Sequence, residues 1–209
     1  MKVTWYFDFI SPFAYFQCER FDQLPPGTEI KYRPILFAGV LKHWGHKGPA
    51  EIPSKRRFTY RQALWIARRE RIPFRAPSAH PFNPITALRL AIALGCEPHA
   101  VRLIFRFIWA EGHRTDEDES WATLIDRLNT PDANSRIARD EVQATLRSNT
   151  EDAIALGVFG VPTLAVKKEL FWGYDTTDIA AAYIKDSQAF EDTEMQRMSD
   201  LPIGIERPR

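Results

Sequence analysis

The first 34 residues hold three elements whose order restricts the fold more than any other feature of the chain. Val3–Asp8 is an apolar run of β-branched and aromatic residues with no breaker, the composition of a buried strand. Ser11-Pro12-Phe13-Ala14 then opens a helix. Asp8 or Ser11 suits its cap, and Pro12 suits the first helical position, where its missing N–H would have no partner anyway. The helix is predicted to reach about Phe21, with Pro25-Pro26-Gly27 ending it. Glu29–Arg33 alternates Ile30 and Tyr32 with charged residues up to Pro34, a second strand. Strand, helix and strand in so short a span make a βαβ unit and hence a parallel pair.

The middle of the chain reads differently. Gly39–Pro53 is predicted to be a Gly/Pro/His-rich loop carrying Lys42, His46 and Lys47. Helical spacing follows over Arg57–Arg71, then a loop over Arg75–Pro84, then helices over Ile85–Leu94 and Pro98–Glu111. Asn83 is placed to cap the first of these last two, and Gly95 to stop it. The acidic run Asp116–Glu119 lies just ahead of a helix at Ser120–Leu128, where negative charge is favourable. Asn134–Arg147 and Thr150–Leu156 are read as two further helices. With no strand in it, 39–156 is expected to be an all-helical insertion.

Strands return at Thr163–Val166 and Leu170–Trp172, flanking Lys167-Lys168-Glu169 as an antiparallel hairpin. Asp175 or Thr176 is expected to cap a last helix, and the charged remainder from Asp186 is expected to be an extended tail. The halves combine into an α/β fold with a four-stranded mixed sheet. Residues 1–38 and 157–186 form the sheet domain, 39–156 the helical insertion and 187–209 the tail.

Composition narrows the function. A chain that is 44% hydrophobic can build a core, and a net charge of +1 without a basic stripe argues against a nucleic-acid partner. No apolar run approaches the ~20 residues of a membrane span, and the start shows no secretory leader, so the expected address is cytoplasmic. Cys18 and Cys96 form no C-x-x-C and are expected to be buried free thiols. The five histidines show no metal-ligand spacing, so no metal is expected.

The chemistry is expected in two stretches. Ser11 is either a helix cap or the polar group of an active site. At a helix N-terminus its hydroxyl can donate to a thiolate, which the free N–H groups also favour. Gly160-Val161-Pro162-Thr163 is either a plain turn before a strand or a proline-preceded strand edge that pairs with an extended peptide. The order of elements is similar to that of a thioredoxin-like domain, whose first helix usually begins with C-x-x-C. Ser11-Pro12-Phe13-Ala14 has no thiol there, which excludes dithiol redox chemistry at this site.

Phe7-Asp8-Phe9-Ile10-Ser11-Pro12-Phe13-Ala14-Tyr15, Gly45-His46-Lys47-Gly48-Pro49, Pro53-Ser54-Lys55, Gly157–Thr163 and Phe171-Trp172-Gly173-Tyr174-Asp175 together carry a closer resemblance. The chain resembles 2-hydroxychromene-2-carboxylate isomerases and the related kappa-class glutathione transferases, from the first strand to about Ile184. The resemblance implies a DsbA-like thioredoxin fold, a homodimer, glutathione as cofactor and a small aromatic carboxylate as substrate. It implies that Ser11 holds the glutathione sulfur and that Val161 binds the cysteinyl backbone before a cis Pro162. His46, Trp172, Gly173, Tyr174 and Asp175 would meet the rest of the tripeptide. Phe13, Lys42, Lys55 and Asn83 would face the substrate, with Phe37, Trp44 and Phe82 as further candidates for an aromatic lining. His46 and Tyr174 depart from the family pattern, which commonly has Asn at the first position and Asn or Ser at the second. The expected activity is glutathione-dependent isomerisation to trans-o-hydroxybenzylidenepyruvate, a step of aromatic degradation. A conjugating transferase and a non-enzymatic peptide or thiol binder are the alternatives.

Overall fold

The computed structural model describes residues 1–205; the last four residues of the expected tail lie outside the described residues. Strand β1 (Lys2–Phe7) leads through Ser11 into helix α1 (Pro12–Glu19) and on to β2 (Glu29–Pro34). The late strands are β3 (Thr163–Val166) and β4 (Glu169–Trp172). They form one sheet in the order β2-β1-β3-β4. β1 runs parallel to β2 and antiparallel to β3, and the β3–β4 hairpin pairs Thr163 with Trp172. The mixed sheet expected from the sequence is therefore the one observed.

Alternation along β1 sends its side chains to two cores. Val3, Trp5 and Phe7 join a large cluster with Phe9, Phe16 and Phe105, in which the Phe9 and Phe105 rings lie 4.6 Å apart. Tyr6 points to the other face, among Ile35, Val40, Ala153, Val158 and Val161. Between β2 and β3 the chain is helical: α2 (Phe37–Trp44), α3 (Pro53–Glu70), α4 (Ile85–Ala93), α5 (Pro98–Trp109), α6 (Asp118–Arg127), α7 (Ala133–Ile137) and α8 (Asp140–Ala155). α5 packs on α1, and the half-hidden Glu19 on α1 receives Arg102 through two bonds of 2.9 Å and Arg106 at 3.0 Å.

Five local expectations need correction. The Gly39–Pro53 stretch is not one loop, because α2 occupies Phe37–Trp44. Gly39 fits inside it for a packing reason: a Cβ there would come within 3.2 Å of Thr150 on α8. Gly45, at φ 65°, then ends α2 in the left-handed conformation. Asn134–Arg147 and Thr150–Leu156 are not two helices of those bounds, because α8 runs unbroken through Asn149 and Thr150. Both polar side chains bind the end of β2 instead of interrupting the helix. Asn149 accepts from Arg33 Nε at 2.8 Å and donates to Pro34 O at 3.2 Å, and Thr150 Oγ1 accepts from Leu36 N–H at 3.0 Å. A 3-10 turn at Tyr174–Thr176 precedes α9 (Thr177–Lys185), and neither Asp175 nor Thr176 caps α9 through its side chain. The tail is not simply extended, since α10 spans Thr193–Ser199 with Asp192 accepting from two backbone N–H groups. Both cysteines are free, Cys18 buried but Cys96 only half-buried.

Candidate functional site

Ser11 caps α1 as its sequence position predicts. Its Oγ accepts from Ala14 N–H at 3.2 Å, and the residue is 7% exposed. Tyr15 N–H goes to Ser11 O at 3.3 Å, Pro12 has no N–H, and the Phe13 N–H has no partner among the described residues. The hydroxyl proton of Ser11 faces Val161 O across 3.5 Å. That is longer than the usual ~2.7–2.8 Å of an O–H···O bond, so the proton is weakly held. A loosely engaged O–H and a free N–H at the positive end of a helix are together donors for an anion.

The opposite wall is the segment before β3. The Val161–Pro162 bond is cis, and Gly173 N–H bonds to Pro162 O at 2.8 Å, which ties the strip after β4 to this wall. Trp172 lies over the same segment: a Cβ on Gly160 would come to 2.2 Å from its Nε1, so only glycine fits beneath the indole. Trp172 and Phe159 are each about half exposed, with ring centroids 5.0 Å apart, and they form an aromatic lip. Phe13 is half-buried, 6.4 Å from the Phe16 ring.

The turn Asp8–Ser11 is fixed by polar groups of which the sequence offered only Asp8, and that as a helix cap. The Asp8 carboxylate accepts from Ile10 N–H at 3.1 Å and from Phe37 N–H at 2.9 Å. Burial pushes its pKa up to about 7, with those two N–H groups pulling the other way. Trp109 Nε1 on α5 donates to Phe9 O at 2.8 Å. His80, in the loop before α4, places Nε2 2.8 Å from Ile10 O and Nδ1 2.8 Å from the hydroxyl of Tyr60 on α3. Gln17 does the same service for the far strip: its amide accepts from Trp5 Nε1 at 2.7 Å and donates to Gly173 O at 3.1 Å and Thr177 Oγ1 at 2.9 Å. A glutamine on an apolar helix was the available signal for this role; nothing local marked His80 or Trp109.

The structure thus brings Ser11, Val161, Pro162, Trp172 and Gly173 together. Tyr174 points inward, 8% exposed and 6.0 Å from the Phe16 ring. Asp175 is exposed and folds back on Gly173, whose φ of 101° suits glycine. Lys42 at the end of α2, His46 beyond Gly45 and Lys55 in the first turn of α3 are exposed, and no hydrogen bond or ion pair among the described residues joins them to Ser11 or Val161. Asn83 spends its side-chain oxygen on Ile85 N–H at 3.1 Å. Phe37 is half-buried beside the Tyr6 core, Trp44 is exposed with its Nε1 on Val158 O, and Phe82 is buried near His80. No helix among the described residues is long and apolar enough to cross a membrane.

Comparison with known proteins adds to this geometry. Residues 2–185 match the family described as DSBA-like thioredoxin domain. The chain is 30% identical over 181 residues to a glutathione S-transferase kappa 2 of Caenorhabditis elegans, covering 78% of this chain and 80% of that protein. It is also 30% identical over 185 residues to a 2-hydroxychromene-2-carboxylate isomerase of Pseudomonas putida, covering 84% and 90%. Among solved structures, a 2-hydroxychromene-2-carboxylate isomerase superposes with a TM-score of 0.78 at 23% identity, over 93% of this chain and 99% of that one. That likeness speaks to the fold.

Proposed function

The chain belongs to the DSBA-like thioredoxin domain family, and from that premise we propose that it is a glutathione-dependent isomerase of small aromatic carboxylates. The observation that carries this is the Ser11 junction: a weakly held hydroxyl and a free Phe13 N–H at a helix start, facing a backbone carbonyl, with no cysteine in the motif. Such a pair of donors stabilises a thiolate brought by a ligand and lowers that thiol's pKa. Glutathione supplies the sulfur; Val161 meets its cysteinyl backbone, and Trp172, Gly173 and Asp175 lie along its γ-glutamyl end, with His46 as an outer neighbour and Tyr174 beneath them.

The relatives named for 2-hydroxychromene-2-carboxylate point to the substrate class. The hemiketal opens to the unsaturated keto acid, the thiolate adds to the carbon β to the new carbonyl, the former double bond becomes single and rotates in the enolate, and the thiolate leaves as the double bond re-forms in trans geometry. Glutathione is regenerated. Lys42 and Lys55 attract the substrate carboxylate, while Phe13 and Asn83 border the ring. The same proposal includes a cytoplasmic homodimer built from a sheet unit, 1–38 with 157–186, and a helical unit, 39–156.

A second reading is kept because four of the relatives found are kappa-class glutathione transferases. Stoichiometry separates the two: isomerisation leaves free thiol unchanged, and conjugation depletes it. The decisive experiment measures the thermal shift of the full chain with glutathione, then thiol consumption during turnover of 2-hydroxychromene-2-carboxylate. A melting temperature that rises with glutathione, and product formed at constant thiol, are expected. No shift at millimolar glutathione would reject both readings.

A further inference from the structure

We propose that Tyr60 and His80 form a proton-transfer couple for the ligand that binds beside Ser11, with Tyr60 Oη touching the substrate and His80 behind it. This rests on the isomerase proposed above and goes beyond it, because the glutathione site leaves the protons of ring opening without a carrier.

The geometry is specific. His80 Nε2 faces Ile10 O at 2.8 Å, and a carbonyl only accepts, so Nε2 carries the hydrogen in the neutral ring. Nδ1 is then the free base, and Tyr60 Oη lies 2.8 Å from it. Tyr60 Oη also lies 3.1 Å from His80 O, so the hydroxyl has a second acceptor once Nδ1 is protonated. Both protonation states of His80 therefore keep every polar atom of the pair bonded. Ile10 precedes Ser11, so the couple is anchored to the catalytic turn itself. Tyr60 and His80 are both half-exposed, whereas the rings that clamp His80, Phe82 and Trp109, are buried.

The groups facing His80 keep it a base. Burial lowers its pKa from 6.5, the Ile10 carbonyl opposes this, and the Arg56 guanidinium, stacked 5.9 Å over the Tyr60 ring, lowers it further. At neutral pH the ring is thus ready to accept a proton.

2-Hydroxychromene carries a hydroxyl on the carbon that bears the ring oxygen, a cyclic hemiketal. Opening it removes the hydroxyl proton and protonates the ring oxygen. The hydroxyl proton passes to Tyr60 Oη as the Tyr60 proton passes to His80 Nδ1. The freed oxygen pair forms the C=O, the bond to the ring oxygen breaks, and its electron pair stays on that oxygen as a phenolate. The proton then returns from His80 through Tyr60 to the phenolate. Nothing is oxidised or reduced, and no co-reactant is needed.

The test compares Tyr60→Phe and His80→Gln with the wild-type chain, using glutathione and 2-hydroxychromene-2-carboxylate. Glutamine keeps a donor for Ile10 O but cannot carry the proton. Each variant is expected to lose about 100-fold in kcat/KM, the scale of one general acid–base group. The double variant is expected to be no slower than His80→Gln, since both changes remove one relay. The acid limb that His80 sets below pH 6.5 is expected in wild type and absent from His80→Gln; Asp8, in the same turn, titrates in both and cancels from the comparison. The absorbance of bound thiolate is expected to stay at the wild-type level in Tyr60→Phe, because Ser11 is untouched. Rates within threefold of wild type, or pH profiles of wild type and His80→Gln that coincide below pH 6.5, would overturn the couple. An inactive wild type would instead reject the isomerase reading, and the couple with it.

Discussion

The Ser11 turn and the cationic segment from Lys42 to Lys55 stand in opposite physical situations. In the turn, the carbonyls of Phe9, Ile10 and Ser11 and the N–H groups of Ile10 and Ala14 have partners on α5, in the loop before α4, in the first turn of α1 and among the turn's own side chains. Lys42, His46 and Lys55 are exposed, without an ion pair among the described residues. A group that must stabilise a reacting sulfur is placed by the core, where position is fixed before the ligand arrives. Groups that only attract a charged substrate sit in water, where position is cheap to change and little depends on it. Under the proposed function, the difference assigns the sulfur chemistry to the frame of this fold and substrate preference to its surface.

The sharpest way to break this comparison is at Ser11. Ser11→Ala is expected to lower kcat by about 100-fold or more, as when one preorganised donor is lost. The pKa of bound glutathione, titrated by thiolate absorbance, is expected to rise with it. Unchanged values of both would mean that the turn is scaffolding alone.

Asp8 probes how firmly the turn is buried. Its pKa is raised from 3.8 in the unfolded chain to about 7 in the fold, so between these values the native state holds a proton that the unfolded chain has lost. Its contribution to stability therefore falls as pH rises from about 4 to about 7, by at most ~4 kcal/mol. Asp8→Asn has no charge to bury. In urea denaturation at pH 5 and pH 8, the wild type is expected to lose more stability over this interval than Asp8→Asn. Equal changes would show that the carboxylate is better solvated than its 1% exposure implies.

At the other end of the comparison, Lys42→Ala and Lys55→Ala are each expected to change stability by no more than about 0.5 kcal/mol. They are expected to raise KM for an anionic substrate a few-fold, an effect that fades with added salt. A large loss of stability in either would place that lysine in the frame instead of on its surface.

Much of the frame was legible from local chemistry. Val3–Phe7, Glu29–Pro34 and the hairpin around Lys167-Lys168 announce strands by composition and bounding turns, and Ser11-Pro12 announces a helix start. What failed did so where distant partners reversed a local preference. Gly39 and the histidines made α2 look like loop, yet Gly39 lets α2 approach Thr150. The stretch between Arg147 and Thr150 looked like a helix break, yet α8 passes through it, and Arg33, Pro34 and Leu36 satisfy the side chains of Asn149 and Thr150.

By itself, then, the sequence determined the strands, most helices, the absence of a thiol at the first helix, and the pairing of Ser11 with the segment before β3. Those depend on residue types within a few positions of one another or on a motif repeated across a family. Only the tertiary structure decided that Gln17 ties β1 to Gly173, that Trp109 and His80 hold the carbonyls before Ser11, and that the Tyr60 hydroxyl meets His80 Nδ1. Each of those bonds links residues at least 12 positions apart. Whether a polar side chain faces water or a buried carbonyl is fixed by what packs beside it, not by its neighbours in the chain.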